Sequence, residues 1–160
     1  VIPCVDGASI KQKIHRERFV SRLPTVAELA EKLKVNLCLE TDLSPYDFSA
    51  LLQRLNSDRV TVNYDIGNSA ALGYDPREEF ESYGESITDL HIKDRVFGGG
   101  PVFLGTGDAN FRVVFDQLKR IHYVGPSIMQ AYRDDEGVEI FSQQLEFIKP
   151  YIDELYSTNL

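Results

Sequence analysis

Cysteines and long hydrophobic runs are both scarce in this sequence, and each scarcity excludes a class of protein. The two cysteines, Cys4 and Cys38, are too few for a disulfide framework and do not form a zinc-binding pattern. Each lies in an apolar segment, so we expect both to be buried, reduced thiols. No apolar run reaches the roughly eighteen residues of a membrane-spanning helix. No targeting segment is visible either, and we therefore expect a cytoplasmic location.

Basic residues are in the minority as well. The chain has 17 Lys and Arg against 25 Asp and Glu, which gives a formal net charge of −8. Proteins that bind nucleic acid or anionic membranes carry clustered basic residues, so this balance argues against either partner. A local basic site for one small anion stays open. The 160 residues are 42% hydrophobic and 26% charged, and we expect residues 1–160 to form a single globular domain.

Short apolar segments alternate with longer amphipathic ones along the chain. Five apolar segments predict β-strands, in the sequences VIPCV, NLCLE, RVTVNYD, ITDLHIKD and GPSIMQAY. Five amphipathic segments predict helices, in the sequences TVAELAEKLKV, SPYDFSALLQRL, DPREEFESYG, DANFRVVFDQLKRI and GVEIFSQQLEFIKPYIDEL. Strands and helices alternate without a hairpin signal, which predicts an α/β fold of parallel β/α units.

Start signals support two of these helices. Thr25 and Glu28 have the spacing of a capping box, which predicts a helix that begins at residue 25. Ser44 is a favourable N-cap and Pro45 fits the first helical position.

Five β/α units fit either an open doubly wound sheet or part of an eight-stranded barrel. The doubly wound sheet normally has a glycine-rich turn after its first strand, and the segment DGASI is a poor match. In both architectures, chemistry takes place at the carboxyl ends of the strands. One polar residue stands near the end of each predicted strand: Asp6, Glu40, Asp65, His91 and Gln130.

Four of these residues offer oxygen or nitrogen donors on consecutive strands. Glu40, Asp65, His91 and Gln130 are separated by 25, 26 and 39 residues, about one β/α unit each, with a long loop after His91. Oxygen donors with one imidazole suit Mn²⁺, Mg²⁺ or a similar ion. A single strand-end carboxylate more often caps a turn or helix, and on spacing alone both interpretations stay open.

Four short motifs carry a family resemblance. The segments LCLETD, NYDIGN, DLHIKDR and LGTGDANF, in this order, resemble the xylose-isomerase-like superfamily of (β/α)8 TIM barrels, in particular its sugar-phosphate isomerases and epimerases. The resemblance runs over almost the whole chain and corresponds to strands 4–8 of the barrel with their helices. It implies that the chain is the C-terminal part of a barrel. The remaining strands would belong to a longer chain, to a second chain, or to another copy in a homo-oligomer.

The resemblance implies one divalent metal ion, which would be Mn, Mg, Co or Zn. By residue match, Glu40, Asp65 and His91 are its ligands, and Gln130 stands where most relatives have a fourth ligand, Glu. Related apurinic endonucleases need a second His after the Asp to build a zinc cluster. Asn68 occupies that position here, so a nuclease is not expected.

The activity implied by the resemblance is proton abstraction next to a metal-polarised carbonyl of a sugar or sugar phosphate. In the family, the first and last Glu transfer the protons. Glu40 stands at the first position, whereas Gln130 cannot titrate and can only bind the metal through its carbonyl oxygen. Lys93, Asp94 and His91 are candidates for the second proton carrier, and Lys93 is our choice. Isomerase and epimerase both remain open. So do a non-catalytic sugar-binding barrel and a metal-dependent lyase or dehydratase acting on a polyol.

Further residues near the strand ends are candidates for substrate contact: Asp6, Asn68, Asp94, Arg95 and Arg133. The two arginines would pair with a phosphate or carboxylate, or they are solvated loop residues. Lys93 and Asp94 have the alternative of a salt bridge at the strand end. The glycines that follow Arg95 lack P-loop spacing, and we expect them in a loop at the rim of the site. Asp108 or Asn110 would cap the next helix.

Overall fold

Seven strands are present in a computed structural model of the chain, which describes residues 1–133 and 137–157. They are β1 (Ile2–Cys4), β2 (Leu37–Thr41), β3 (Val60–Asp65), β4 (Ile87–Ile92), β5 (Asp94–Arg95), β6 (Pro101–Val102) and β7 (Ser127–Met129). Five of them form one sheet in the order β1-β2-β3-β4-β7, and all the pairs in it are parallel. The remaining two strands, β5 and β6, form a small antiparallel ribbon.

Within the described residues, six α-helices accompany the strands. They are α1 (Lys13–Leu33), α2 (Pro45–Leu55), α3 (Ile66–Leu72), α4 (Pro76–Tyr83), α5 (Phe111–Arg120) and α6 (Val138–Ser157). None of these helices combines the length and the apolar character needed to span a bilayer.

The order of the sheet distinguishes the two architectures that the sequence left open. Its strands are neighbours in the order in which they occur along the chain, without the reversal that defines a doubly wound sheet. This succession of parallel β/α units is that of a TIM barrel, and it confirms the predicted fold class. β1 and β7 have one neighbour each and form the two edges of the sheet.

The alternation of side chains along β3 explains how one strand serves both the core and a polar site. Val62 and Tyr64 are buried in the hydrophobic core. Asn63 and Asp65 point to the opposite face, as the two-residue period of a strand requires, and there they approach side chains of β2 and β4. The helix-facing core is completed by large buried side chains: Leu39, Leu51, Leu90, Ile92, Phe115, Leu118 and Ile148.

The predicted helix start at residue 25 is wrong. α1 is continuous from Lys13 to Leu33, so Thr25 and Glu28 lie inside it and form no capping box. Proline inside a helix removes one backbone hydrogen bond, and Pro24 stands in the middle of α1. A buried stripe of Leu23, Ala27 and Ala30 continues across the proline, so residues on both sides of Pro24 pack against the core.

Two short elements were missed by the sequence analysis. α3 follows β3 directly, because Asp65 ends the strand and at the same time caps the helix. The β5–β6 ribbon lies within the glycine-rich segment, where only a loop was expected.

Other local predictions are confirmed. The Ser44 hydroxyl accepts a hydrogen bond from the Asp47 N–H at the start of α2, with Pro45 at the first helical position. Asn110, rather than Asp108, caps α5. Cys4 and Cys38 are both buried and free.

Candidate metal centre

Three of the four predicted metal ligands come together at the carboxyl ends of neighbouring strands. Glu40 of β2, Asp65 of β3 and His91 of β4 are buried, and each offers a ligand atom within 4.8 Å of the others. The His91 Nδ1 atom lies 3.5 Å from Glu40 Oε2 and 3.8 Å from Asp65 Oδ2. Ligand atoms that each lie about 2.1 Å from one ion are separated by ~3 to 4 Å. The observed distances therefore suit a single divalent cation.

The two carboxylate oxygens of Asp65 have different surroundings. Oδ1 accepts a hydrogen bond from the Asn68 N–H at 2.8 Å and so caps α3. Oδ2 is buried and has no hydrogen-bond partner among the described residues, and the Lys93 Nζ atom is 3.8 Å away. A buried acceptor left unpaired costs about 1–3 kcal/mol, whereas coordination of a cation would satisfy it. Asp65 is thus a helix cap through one oxygen and available as a ligand through the other.

Two asparagines hold the carboxylate of Glu40. Asn63 Nδ2 donates to Oε2 at 2.9 Å, and Asn68 Nδ2 donates to Oε1 at 2.6 Å. The carbonyl oxygen of Asn68 in turn accepts from the Arg95 guanidinium at 2.7 Å. Each Glu40 oxygen is therefore fixed in direction.

Electrostatics at the site favour a bound cation. Burial, and after it the neighbouring Asp65 carboxylate, raises the pKa of Glu40. Burial also raises the pKa of Asp65, against the lowering effect of the Lys93 ammonium group. Two buried carboxylates at short range are difficult to ionise together, and a divalent ion would remove that difficulty.

Asn63 is a site residue that the sequence analysis missed. It is buried between Glu40 and His91, with its Nδ2 3.1 Å from His91 Nδ1, and its Oδ1 has no hydrogen-bond partner in the part of the chain that the structure describes. In a neutral histidine, the single lone pair of an unprotonated Nδ1 either accepts such a hydrogen bond or binds a metal ion, so an ion at Nδ1 would replace the contact with Asn63. Asn63 could have been predicted from the sequence, because it stands two residues before Asp65 on the same strand and such residues share a face.

Lys93 lies between the cluster of Glu40, Asp65 and His91 and a wider cavity of about 910 Å³. Its side chain is 21% exposed and crosses the start of α3. A Cβ atom at Gly67 would lie 2.8 Å from Lys93 Cγ, so glycine at this position allows the lysine to approach. The lysine that the sequence analysis chose as a proton carrier is therefore placed at the junction of cluster and cavity.

Gln130 and Arg133 line the same cavity, and both are exposed. The backbone N–H of Gln130 donates to the Ile92 carbonyl at 2.9 Å, which fixes the chain just after β7. Gln130 is not one of the three clustered residues, and its role as a fourth ligand stays a prediction. The contact of Arg133 with substrate stays a prediction as well.

Asp6 and Arg95, two further candidates for substrate contact, differ in their surroundings. Asp6 is exposed in a short 3-10 helix after β1, with a left-handed backbone φ of 50°. Arg95 is partly buried, and besides Asn68 its guanidinium contacts the Gly99 carbonyl at 2.7 Å.

Asp94 has a structural set of partners. It is fully buried, and its carboxylate accepts backbone N–H groups from Gly105 at 2.8 Å, Gly107 at 3.0 Å and Ala109 at 3.1 Å. The segment from Gly105 to Ala109 therefore wraps around the Asp94 carboxylate. The predicted contact of this carboxylate with substrate stays a prediction, and the geometry uses both of its oxygens to hold the loop.

Comparison with known proteins gives relatives of this architecture. L-ribulose-5-phosphate 3-epimerase UlaE of Escherichia coli (strain K12) is 27% identical over 129 residues, which cover 74% of this chain and 44% of the relative. A xylose isomerase domain protein from Planctomyces limnophilus superposes with a TM-score of 0.80 at 18% identity, covering 92% of this chain and 58% of that protein. A xylose isomerase-like TIM barrel protein from Mycobacterium smegmatis, solved in complex with magnesium, gives 0.72 at 21% identity, covering 91% and 53%.

The chain spans about half the length of these relatives. At such low identities the two structural similarities show the fold. The model of one protein family, described as the xylose isomerase-like TIM barrel, matches residues 2–151. The chain belongs to the xylose isomerase-like TIM barrel family.

Proposed function

We propose that this chain carries the metal-binding and proton-transferring residues of an isomerase or epimerase that acts on a ketose sugar or sugar phosphate. The observation that carries the proposal is the buried cluster of Glu40, Asp65 and His91, in which Asp65 Oδ2 has no hydrogen-bond partner within residues 1–133 and 137–157. The similarity to an epimerase of L-ribulose 5-phosphate supports the substrate class.

The donor set of two carboxylates and one imidazole fits Mn²⁺, Mg²⁺, Co²⁺ or Zn²⁺. Glu40, Asp65 and His91 would hold the ion, with Gln130 as a fourth ligand through its carbonyl oxygen. A divalent ion bound there supplies Lewis acidity, which lowers the pKa of the C–H next to a ketose carbonyl.

Glu40 is the proposed base that removes this proton. The amides of Asn63 and Asn68 fix both of its oxygens, and burial raises the pKa of the carboxyl group toward the range useful for proton transfer. Lys93 is the proposed second carrier, because its side chain reaches from the cluster into the cavity. Return of a proton to the opposite face of the same carbon gives epimerisation, and return to the neighbouring carbon gives isomerisation.

Positive groups around the cavity support an anionic substrate. Lys93 and Arg133 line the cavity itself, and Arg95 is attached to Asn68 at the edge of the metal centre. A phosphate or carboxylate of the substrate would pair with Arg133, while the sugar hydroxyls would face Asn68 and Arg95. The cytoplasmic location and the completion of the barrel by a second chain or a second copy stay predictions.

One observation favours a second function, a sugar-binding protein without catalysis. Gln130 stands where most relatives have a Glu, and its amide cannot transfer a proton. If Lys93 does not replace the missing carboxylate, the chain would bind a sugar beside a metal ion and leave it unchanged.

Exchange of solvent deuterium into the substrate tests this proposal. With Mn²⁺ present, we expect the protein to introduce deuterium into L-ribulose 5-phosphate at one carbon-bound position, as followed by NMR. Glu40→Gln should reduce the rate at least about 100-fold, because it removes the base, and a chelator should abolish it. Glu81→Gln, at an exposed position of α4, is the matched control and should exchange at the wild-type rate.

Two results would oppose the proposal. Binding of the sugar phosphate without any exchange would favour the non-catalytic function. Exchange at an unchanged rate in Glu40→Gln would show that another group removes the proton. Running the unphosphorylated ketose in parallel measures how much the phosphate contributes to binding.

A further inference from the structure

A further buried carboxylate, that of Glu79, has no part in the proposed mechanism. Glu79 of α4 is only 3% exposed. Its carboxylate accepts hydrogen bonds from three hydroxyl groups: Tyr64 at 2.8 Å, Tyr83 at 2.7 Å, and Ser69. No Lys, Arg or His in the described part of the chain forms an ion pair with it. Burying an acidic group without a counter-cation is costly, so three converging hydroxyl donors indicate a specific arrangement.

Two of the three donors flank residues 65–68, the segment that contains Asp65 and Asn68. Tyr64 immediately precedes Asp65, and Ser69 immediately follows Asn68. Both hydroxyls donate to the same oxygen of Glu79, Oε2. The carboxylate therefore joins the last residues of β3 to the first turn of α3 from the helix side of the sheet.

The turn held in this way has two functions at the metal centre. Asp65 presents its Oδ2 to the centre, and Asn68 fixes Glu40 and binds Arg95. Glu40 and Glu79 both line one small cavity of about 20 Å³. A change in the path between residues 64 and 69 would move Asp65 and Asn68 together.

We infer that Glu79 is a positioning residue, which clamps Tyr64 and Ser69 and thereby directs Asp65 and Asn68 toward the metal. The inference rests on the proposed function, because it assumes that the cluster binds a divalent ion. Glu79 would influence the ion indirectly, by holding the turn of residues 64–69 in place. Partners one step removed from a metal typically change its affinity 10- to 100-fold when they are replaced.

The third hydroxyl provides an internal control. Tyr83 donates to the same carboxylate, at Oε1, but it lies on α4 itself, four residues after Glu79. Tyr83→Phe therefore removes one hydrogen bond to Glu79 without releasing the 64–69 turn. Tyr64→Phe removes an equivalent hydroxyl from the other side and does release it.

The test is the dissociation constant for Mn²⁺, measured by isothermal titration calorimetry on the full chain. We expect Tyr64→Phe and Ser69→Ala each to weaken Mn²⁺ binding about tenfold, and Glu79→Gln to weaken it at least as much. Tyr83→Phe should stay within about twofold of the wild type. Ser69→Thr keeps the hydroxyl and should recover most of the affinity that Ser69→Ala loses.

The outcomes separate this inference from the proposed function. Equal Mn²⁺ affinity in all variants would overturn the positioning role and leave the metal centre intact. An equal loss in Tyr83→Phe and Tyr64→Phe would also overturn it, because a general loosening of α4 would explain both. Failure of the wild type itself to bind Mn²⁺ would reject the metal centre and the positioning role together.

Discussion

At the scale of single residues, Asp65 explains why two interpretations of a strand-end carboxylate can both hold. One oxygen caps α3, which is the ordinary role of an aspartate before a helix, and the other is left for a cation. The division follows from geometry, since a carboxylate has two oxygens and the helix start needs only one. A cap and a ligand at the same position are therefore compatible.

Glu79 gives a prediction about the pH dependence of stability. Burial raises the pKa of its carboxyl group, although the hydroxyls of Ser69, Tyr83 and Tyr64 act in the opposite direction. The folded state then binds this proton more tightly than the unfolded state does. The free energy of unfolding consequently falls as the pH rises from about 4.5, the ordinary value, through the raised pKa.

Urea unfolding between about pH 4 and about pH 7 measures this effect. We expect the wild type to lose stability relative to Glu79→Gln as the pH increases, because the variant has no proton to release. Glu81→Gln on the same helix is exposed and should show the pH profile of the wild type. A wild type that gains stability over Glu79→Gln with rising pH would contradict the argument.

The residues that could be predicted are those whose position in a strand determines their role. Glu40, Asp65 and His91 each stand near a strand end, and parallel strands bring such ends together. Glu79 could not be found in this way. In the sequence PREEFESY, Glu79 is one of several charged residues. The burial of Phe80 and Tyr83 in the structure shows that this face of α4 points inward.

At the scale of elements, the glycine-rich segment has a physical reason that the sequence did not reveal. The chain from Gly105 to Ala109 closes around the buried Asp94 carboxylate, and Gly105 itself has a φ of 85°, which favours glycine. A Cβ atom at Gly107 would overlap the Asp94 carboxylate. Glycine at this position allows the backbone to approach the acid.

Gly107→Ala should therefore be costly, with a loss of about 2–4 kcal/mol in the free energy of unfolding. Gly100→Ala is the matched control in the same segment, because a Cβ there meets nothing within 4 Å and the residue is exposed. Its stability should stay within about 0.5 kcal/mol of the wild type. Equal stability of the two variants in urea unfolding would show that the contact with Asp94 does not constrain the loop.

Two elements show where local signals are insufficient. The spacing of Thr25 and Glu28 is that of a helix start, yet α1 already begins at Lys13 and its stripe of buried residues continues across Pro24. α3 lacks an apolar period long enough to be seen, and it exists because Asp65 caps it directly at the end of β3. Tertiary packing decides the first case and a single side chain the second.

At the scale of the whole molecule, the metal centre depends on three neighbouring strands whose carboxyl ends meet at one point. The order of the sheet follows the order of the chain, so β2, β3 and β4 are adjacent and present Glu40, Asp65 and His91 together. This much could be expected from regular β/α alternation and the resemblance of four motifs. The hydrogen bonds that orient the ligands, through Asn63 and Asn68, required the three-dimensional arrangement.

The most direct test of the metal centre is anomalous X-ray scattering from crystals of the protein soaked with Mn²⁺. We expect one strong peak, about 2.0–2.3 Å from a Glu40 carboxylate oxygen, Asp65 Oδ2 and His91 Nδ1. The same map would show whether the Gln130 carbonyl oxygen reaches the ion. If crystals saturated with Mn²⁺ show no peak between these three side chains, or a peak only elsewhere, Glu40, Asp65 and His91 do not form a metal centre.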